Sequence, residues 1–370
     1  MKWSWRLGTF AGIGVYVHAT FGLLIGWVGV VHWVEGRTAL AVVDGIAFML
    51  AIFACVVLHE FGHALTARRY GIRTRDITLL PIGGVARLER MPDQPMQEFW
   101  VAVAGPAVNV VIAALLYLAL SATGTLVPIE TLTMTAGSFV ERLMVVNLFL
   151  VGFNLIPAFP MDGGRVLRSL LALRLSYTRA TQIAAALGQG IALLFGFFGL
   201  VVAGNPFLLF IAFFVWIGAA QESSMVQMRS ALGGIPVHHA MLTEVHTVSP
   251  GDTLGRAVEL ILAQSQPDFP VVDGGTVVGI LGRNDLLGAL SREGKAARVG
   301  DVMQREFVSL DPADMLEGAF QRLQECRCRT APVVRDGRLV GLVTMDNLGE
   351  FLAIQAALEK REGGRGKGEA

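Results

Sequence analysis

The sequence predicts an α-helical polytopic membrane protein, with six transmembrane helices and a short membrane-associated β-hairpin, joined to a C-terminal α/β module built from two tandem copies. Three observations carry this reading. Hydrophobic residues make up 53% of the chain and charged residues only 16%, far from the balance of a soluble protein. The excess is confined to residues 8–222, whereas residues 237–355 have an ordinary soluble composition. The C-terminal part also repeats itself at a constant offset of 62 residues without a gap. The formal net charge of zero therefore averages two different materials and points to no charged partner; no nucleic acid is expected.

A membrane crossing needs about 20 apolar residues. Six segments meet this, at roughly 8–33, 42–67, 98–121, 138–157, 182–203 and 206–222. The apolar run after Met1–Arg6 is too long for a signal-peptide core and lacks a clear small-residue cleavage site, so it reads as a retained first span. Arginines cluster after spans two (Arg68 to Arg90), four (Arg165 to Arg179) and six (Arg229), while the opposite loops hold only Arg37. By the positive-inside rule both termini are cytoplasmic. Between spans two and three, Ile77–Leu88 is too short to cross, and Pro81-Ile82-Gly83-Gly84 reads as the turn of a hairpin.

In the C-terminal repeat, Met241 pairs with Met303, Pro270-Val271-Val272 with Pro332-Val333-Val334, and Val278-Gly279 with Val340-Gly341. Each copy reads strand, helix, strand, turn, strand, helix. The domain organisation is a membrane domain at 1–222, a linker at 223–236 ended by Gly233, Gly234 and Pro236, copies at 237–290 and 299–355, and a disordered tail at 356–370.

The chemistry lies in span two. His59-Glu60-Phe61-Gly62-His63 stacks two imidazoles one turn apart on a helix face, which is how two histidines reach one zinc, with Glu60 beside them but not a ligand. Ionisable groups are costly inside a membrane, so their presence asks for a function. Zinc needs a third protein ligand, and Asp162 is the best candidate. Pro157 and Pro160 forbid a continuous helix, so span four must unwind near the depth of the histidines, and Gly163-Gly164 allow close backbone approach. Taken alone, Asp162 could instead simply cap the following helix. Cys55 lies one turn before His59 on the same face as a weaker ligand candidate; packing is the expected role of all three cysteines, Cys55, Cys326 and Cys328.

The His59–His63 helix, the segment Asn154, Pro157, Pro160, Asp162-Gly163-Gly164, and Gly105-Pro106 with Asn109 opening span three resemble the site-2 proteases, which are intramembrane zinc metalloproteases. The resemblance covers residues 8–222. It implies one Zn²⁺ per chain held by His59, His63 and Asp162, Glu60 as catalytic acid/base, and Asn154 beside the zinc steadying the oxyanion. It also implies that the hairpin at Pro81, Ile82, Gly83 and Gly84 receives substrate, and that substrates are transmembrane segments of other membrane proteins. His18 in span one has no assigned role.

The repeat resembles paired cystathionine-β-synthase (CBS) domains, which often bind adenine nucleotides and regulate an attached protein. The family's nucleotide-contacting pattern is Ser or Thr followed three residues later by Asp. Copy one keeps Asp285 but has Gly282, and copy two keeps Thr344 but has Asn347, so Asp285, Thr344 and Asn347 are the implied contacts and each copy holds half the pattern. The resemblance further implies a homodimer through the CBS pair and a multi-pass protein of a prokaryotic plasma (inner) membrane. A transporter or channel is the alternative class, disfavoured because one metal constellation is visible and no inverted repeat relates the span halves.

Overall fold

A computed structural model describes residues 3–365 apart from 82, 91, 93, 125–136, 203, 264–265 and 327, and it divides into two compact units, Met1–Val226 and Gln227–Ala370. Ile82 of the predicted substrate hairpin thus lies outside the described residues.

The first unit opens on two antiparallel strands, β1 (Ser4–Phe10) and β2 (Ile13–His18), where the composition predicts the start of the first span. The local cause is Ala11-Gly12, both at positive φ (49° and 82°), a two-residue hairpin turn that hydropathy cannot register. Helix α1 (Ala19–Gly36) follows, and His18 acquires a role as its N-cap, its Nδ1 accepting from Thr20 N at 3.3 Å. Helix α2 (Ala39–Arg69) is capped by Thr38. Strands β3 (Thr74–Leu80) and β4 (Gly83–Leu88) pair antiparallel as expected, but β3 also pairs in parallel with β2. The predicted hairpin is therefore half of a four-stranded sheet of order β1-β2-β3-β4, with β4 at one edge.

Helix α3 (Pro95–Ala122) starts on a proline, and α4 (Phe139–Asn154) on a capping box between Ser138 and Glu141. Then come α5 (Asp162–Ala172), α6 (Tyr177–Phe197) continued by a π turn at Phe198–Val202, and α7 (Pro206–Leu232). Five helices among the described residues are long and apolar enough to cross a membrane: α1, α2, α3, α6 with its π turn, and α7. Span four of the sequence reading corresponds to α4, whose 16 residues fall short of the usual crossing length. Leu23, Trp27, Leu115, Leu193 and Phe213 are each more than 60% exposed on these helices, as lipid-facing side chains are.

Helix α7 continues to Leu232, so most of the predicted linker at 223–236 is helical and only Gly233 onward breaks it. The second unit contains α8 (Leu254–Ala263), the hairpin β5 (Phe269–Asp273) and β6 (Thr276–Leu281), α9 (Arg283–Glu293), the short α10 (Val299–Val302), α11 (Leu316–Cys326), the hairpin β7 (Thr330–Arg335) and β8 (Arg338–Thr344), and α12 (Met345–Arg365). Helix α12 extends through a region predicted as disordered tail, because its Ala- and Glu-rich start is a good helix former; residues 366–370 lie outside the described part.

The two copies interleave. Leu242, near the start of copy one, pairs with Leu342 of copy two, and Leu232, Val237 and Ala240 belong to the core of copy two with Phe320, Val333 and Val343. Reciprocally, Gln304 pairs with Ile280, and Val299 and Met303 complete the core of copy one. Cys326 and Cys328, expected only to pack, are joined as a disulfide.

The first unit is tied together by a buried charge cluster. Arg168 of α5, wholly inaccessible, donates to Glu98 of α3 and Glu222 of α7, and its guanidinium lies 4.9 Å from the ring centroids of both Phe159 and Tyr177. Charge counting places Arg168 in a cytoplasmic loop, because it cannot see two acids arriving from other helices. Removing one partner of a buried pair strands the other charge. Arg168→Met should lose about 3–5 kcal/mol of stability, measured by unfolding in detergent, and Glu98→Gln in the same chain should recover part of it.

Candidate metal centre

Helix α2 places His59 and His63 one turn apart, both buried. Their Nε2 atoms are 3.0 Å from each other. Helix α4 ends at Asn154, three residues before Pro157, and the irregular stretch that follows brings Asp162 to the start of α5. The helix-cap alternative for Asp162 falls away: the N-cap is Met161, and Asp162 Oδ2 lies 3.2 Å from His59 Nε2 and 3.1 Å from His63 Nε2. Gly163 is required here, since a Cβ would collide with the carbonyl oxygens of Leu155 and Ile156.

These three donors suit a metal ion on two counts. Ligands of a tetrahedral zinc, at bond lengths of about 2.0–2.1 Å, stand about 3.3 Å from one another, close to the separations found. Second, His63 Nδ1 lies 2.7 Å from Val101 O; a carbonyl only accepts, so Nδ1 carries the hydrogen and, in the neutral ring, Nε2 presents a lone pair. That lone pair faces a carboxylate oxygen and a second imidazole nitrogen, an arrangement that calls for a cation. Among the described residues this is the one group of three or more His, Cys, Asp or Glu whose ligand atoms converge, all within 4.8 Å. The space between the two rings is kept open by Gly105 of α3, whose Cβ would sit against Nε2 of both histidines.

The sequence profile of peptidase family M50 matches residues 47–134 and 124–195, and that of the CBS domain matches 235–292 and 299–353. A zinc metalloprotease of Methanocaldococcus jannaschii is 31% identical over 372 residues, covering 98% of this chain and 99% of that one. The chain belongs to peptidase family M50, the site-2 proteases. A second relative, a zinc metalloprotease described as putative in Synechocystis, is 28% identical over 95% of this chain and 96% of its own. A solved site-2 protease from Methanocaldococcus jannaschii is 37% identical, with a match covering 60% of this chain and 95% of that one at a TM-score of 0.44.

The other residues singled out for this M50 chain fall as follows. Glu60 Oε2 accepts from Ala86 N of edge strand β4 at 3.1 Å, so the acid beside the histidines also touches the strand predicted to receive substrate. Gly84 makes that approach possible, because a Cβ there would meet Glu60 Cγ at 2.8 Å. Asn154, in contrast, donates to Leu150 O one turn back (3.0 Å) rather than to any of the three converging residues. The asparagine at His59 is Asn109, with Oδ1 2.5 Å from His59 Nδ1, and behind it stands Asn147. Asn147 carries no sequence motif, and its one visible signal is a carboxamide in the apolar middle of α4. Cys55 Sγ accepts from Asn147 Nδ2 at 3.4 Å and is outside the converging group.

In the second unit a cavity of 330 Å³ is lined by Asp268, Arg283, Asp285, Arg329 and Asp346 among others. Asp268 crosses between the copies, accepting from Thr330 Oγ1 and from Arg283 N at 2.9 Å. Of the predicted nucleotide contacts, Asp285 lines this cavity, held by Gln304 Nε2 at 2.9 Å, whereas Thr344 and Asn347 do not line it. Thr344 Oγ1 instead caps α12 by accepting from Asn347 N at 3.0 Å.

Because a Cβ at Gly105 would crowd Nε2 of both histidines, Gly105→Ala should lower zinc affinity by at least about tenfold, read as zinc per chain after dialysis against a weak chelator. Wild-type zinc content would refute the assigned location.

Proposed function

We propose that the chain is an intramembrane zinc endopeptidase that hydrolyses peptide bonds in or near transmembrane segments of other membrane proteins. The observation that carries this is the convergence of His59, His63 and Asp162 within hydrogen-bonding distance of one another, with Glu60 next to His59 and in contact with a sheet edge. His59, His63 and Asp162 would hold one zinc ion. When bound, zinc supplies Lewis acidity that makes water nucleophilic near neutral pH and polarises a peptide carbonyl.

The chain's own residues do the rest. Glu60 takes the proton of the attacking water and returns it to the leaving amine. A substrate helix hides its carbonyls in i to i−4 bonds, so it must unwind before cleavage. The outer edge of β4 has no strand beside it among the described residues, so an extended segment would add there as a fifth strand and run past Glu60. Pairing there displaces the Glu60 carboxylate from Ala86 N, freeing it for proton transfer as substrate arrives. Substrates are accordingly transmembrane segments with helix-weakening residues. The Arg-rich segments and the CBS pair are assigned to the cytoplasmic side of a plasma membrane, with α4 and the irregular stretch after it completing a sixth crossing.

The CBS pair is read as the sensor of an adenine nucleotide. Its cavity is of ligand size, Asp285 suits ribose hydroxyls, and Arg283 and Arg329 suit phosphate.

Glu60→Gln should keep zinc bound while reducing cleavage of a purified model transmembrane substrate by about 10²–10⁴-fold; activity near wild type refutes the role of Glu60. ATP, ADP or AMP should raise the melting temperature and change the cleavage rate of the full chain. If none does either, the sensor reading fails and the protease reading stands.

A further inference from the structure

We infer that Asn147 and Asn109 are positioning residues that decide which nitrogen of His59 faces the metal, through a chain of hydrogen bonds whose direction is set by one backbone carbonyl. The inference rests on the reading of His59, His63 and Asp162 as a metal site and adds to it the origin of the His59 tautomer.

The direction can be followed from its fixed end. Leu143 O in α4 can only accept. Asn147, one turn later, has its Nδ2 2.8 Å from that oxygen. The amide orientation is therefore determined, since the opposite one would set two oxygens against each other. Its Nδ2 also points at Cys55 Sγ, consistent with the same orientation. Asn147 Oδ1 is then turned to Asn109, 2.8 Å away, and being an acceptor it obliges Asn109 to present its amide hydrogens there. That leaves Asn109 Oδ1 facing His59 Nδ1 at 2.5 Å, so Nδ1 must carry the hydrogen. A neutral imidazole protonated on Nδ1 has its lone pair on Nε2, the atom beside Asp162.

Both asparagines are wholly inaccessible, so water cannot stand in for any link. Turning either amide over would break the bonds on both sides at once. The ring is thereby held in the one tautomer that can coordinate through Nε2, and the cue originates on α4, passes through α3 and ends on α2.

His63 reaches the same state by a different route. Its Nδ1 donates straight to the main-chain carbonyl of Val101, which no side-chain substitution removes. The two histidines thus differ: one tautomer is fixed by backbone, the other by two replaceable side chains. That asymmetry makes the inference testable by substitution.

Asn147→Leu, close in size and without polar atoms, leaves the Asn109 amide free to turn. In the full-length chain in detergent, zinc affinity measured against a chromogenic chelator should fall about tenfold or more, and the visible spectrum of the cobalt(II)-loaded protein should change. Asn109→Asp presents an oxygen to His59 Nδ1 whichever way it turns, so Asn109→Asp/Asn147→Leu should recover most of the lost affinity, a rescue that a packing role for Asn147 would not give. Wild-type affinity in Asn147→Leu, or a double variant binding no tighter than Asn147→Leu, overturns the inference. If Asn147→Leu does not fold, Asn147→Ala decides on the same terms: an affinity loss of about tenfold that Asn109→Asp restores supports the chain of bonds, and wild-type affinity, or a loss that Asn109→Asp does not restore, overturns it. A wild-type chain that fails to bind one zinc refutes the metal site itself, separately from the hydrogen-bond chain.

Discussion

Two imidazole nitrogens and a carboxylate oxygen brought to 3.0–3.2 Å of one another, away from water, repel unless a cation lies among them. Much of the first unit can be understood as the means of holding that arrangement. The turn length of α2 sets the spacing of the histidines. The prolines after α4 stop a helix that would otherwise carry Asp162 past them, and the missing side chain of Gly105 keeps the centre open.

Helix α5 illustrates how such an arrangement is kept in register. It is only 11 residues long, too short for independent stability, yet it bears one of the three converging groups at its first residue. Less than two turns later Arg168 anchors it to Glu98 and Glu222. Glu98 sits on α3, the helix that also contributes Gly105 and Asn109. The charge cluster and the asparagine chain therefore brace the centre from two directions, and α3 takes part in both.

The helical membrane part and the duplicated module were legible because hydropathy and the 62-residue offset are properties of single segments. The His59, His63 and Asp162 set was legible for a similar reason: helix periodicity and proline breaks are local, and similar depth in adjacent spans supplied the rest. What escaped depended on pairing between distant segments. Strand β2 lies inside the predicted first span because Ile13–His18 is as apolar as a crossing, and its pairing with β1 and β3 makes it a strand. Asn147 and Asn109, on different helices, meet only in the fold. Arg168 was counted with surface arginines because its two acids lie 70 and 54 residues away.

The interleaved cores of the second unit bear on how the chain is made. The strand-like bridge at Leu242 has to wait for Leu342, about 100 residues further along, before it finds its mate. At roughly 5–20 residues per second of translation, that is an interval on the order of 5–20 s during which the segment around Leu242 is without its partner strand. Copy one can close once Val299 and Met303 have emerged, whereas copy two closes late, when its last strand and helix meet Leu232, Val237 and Ala240, which were made long before.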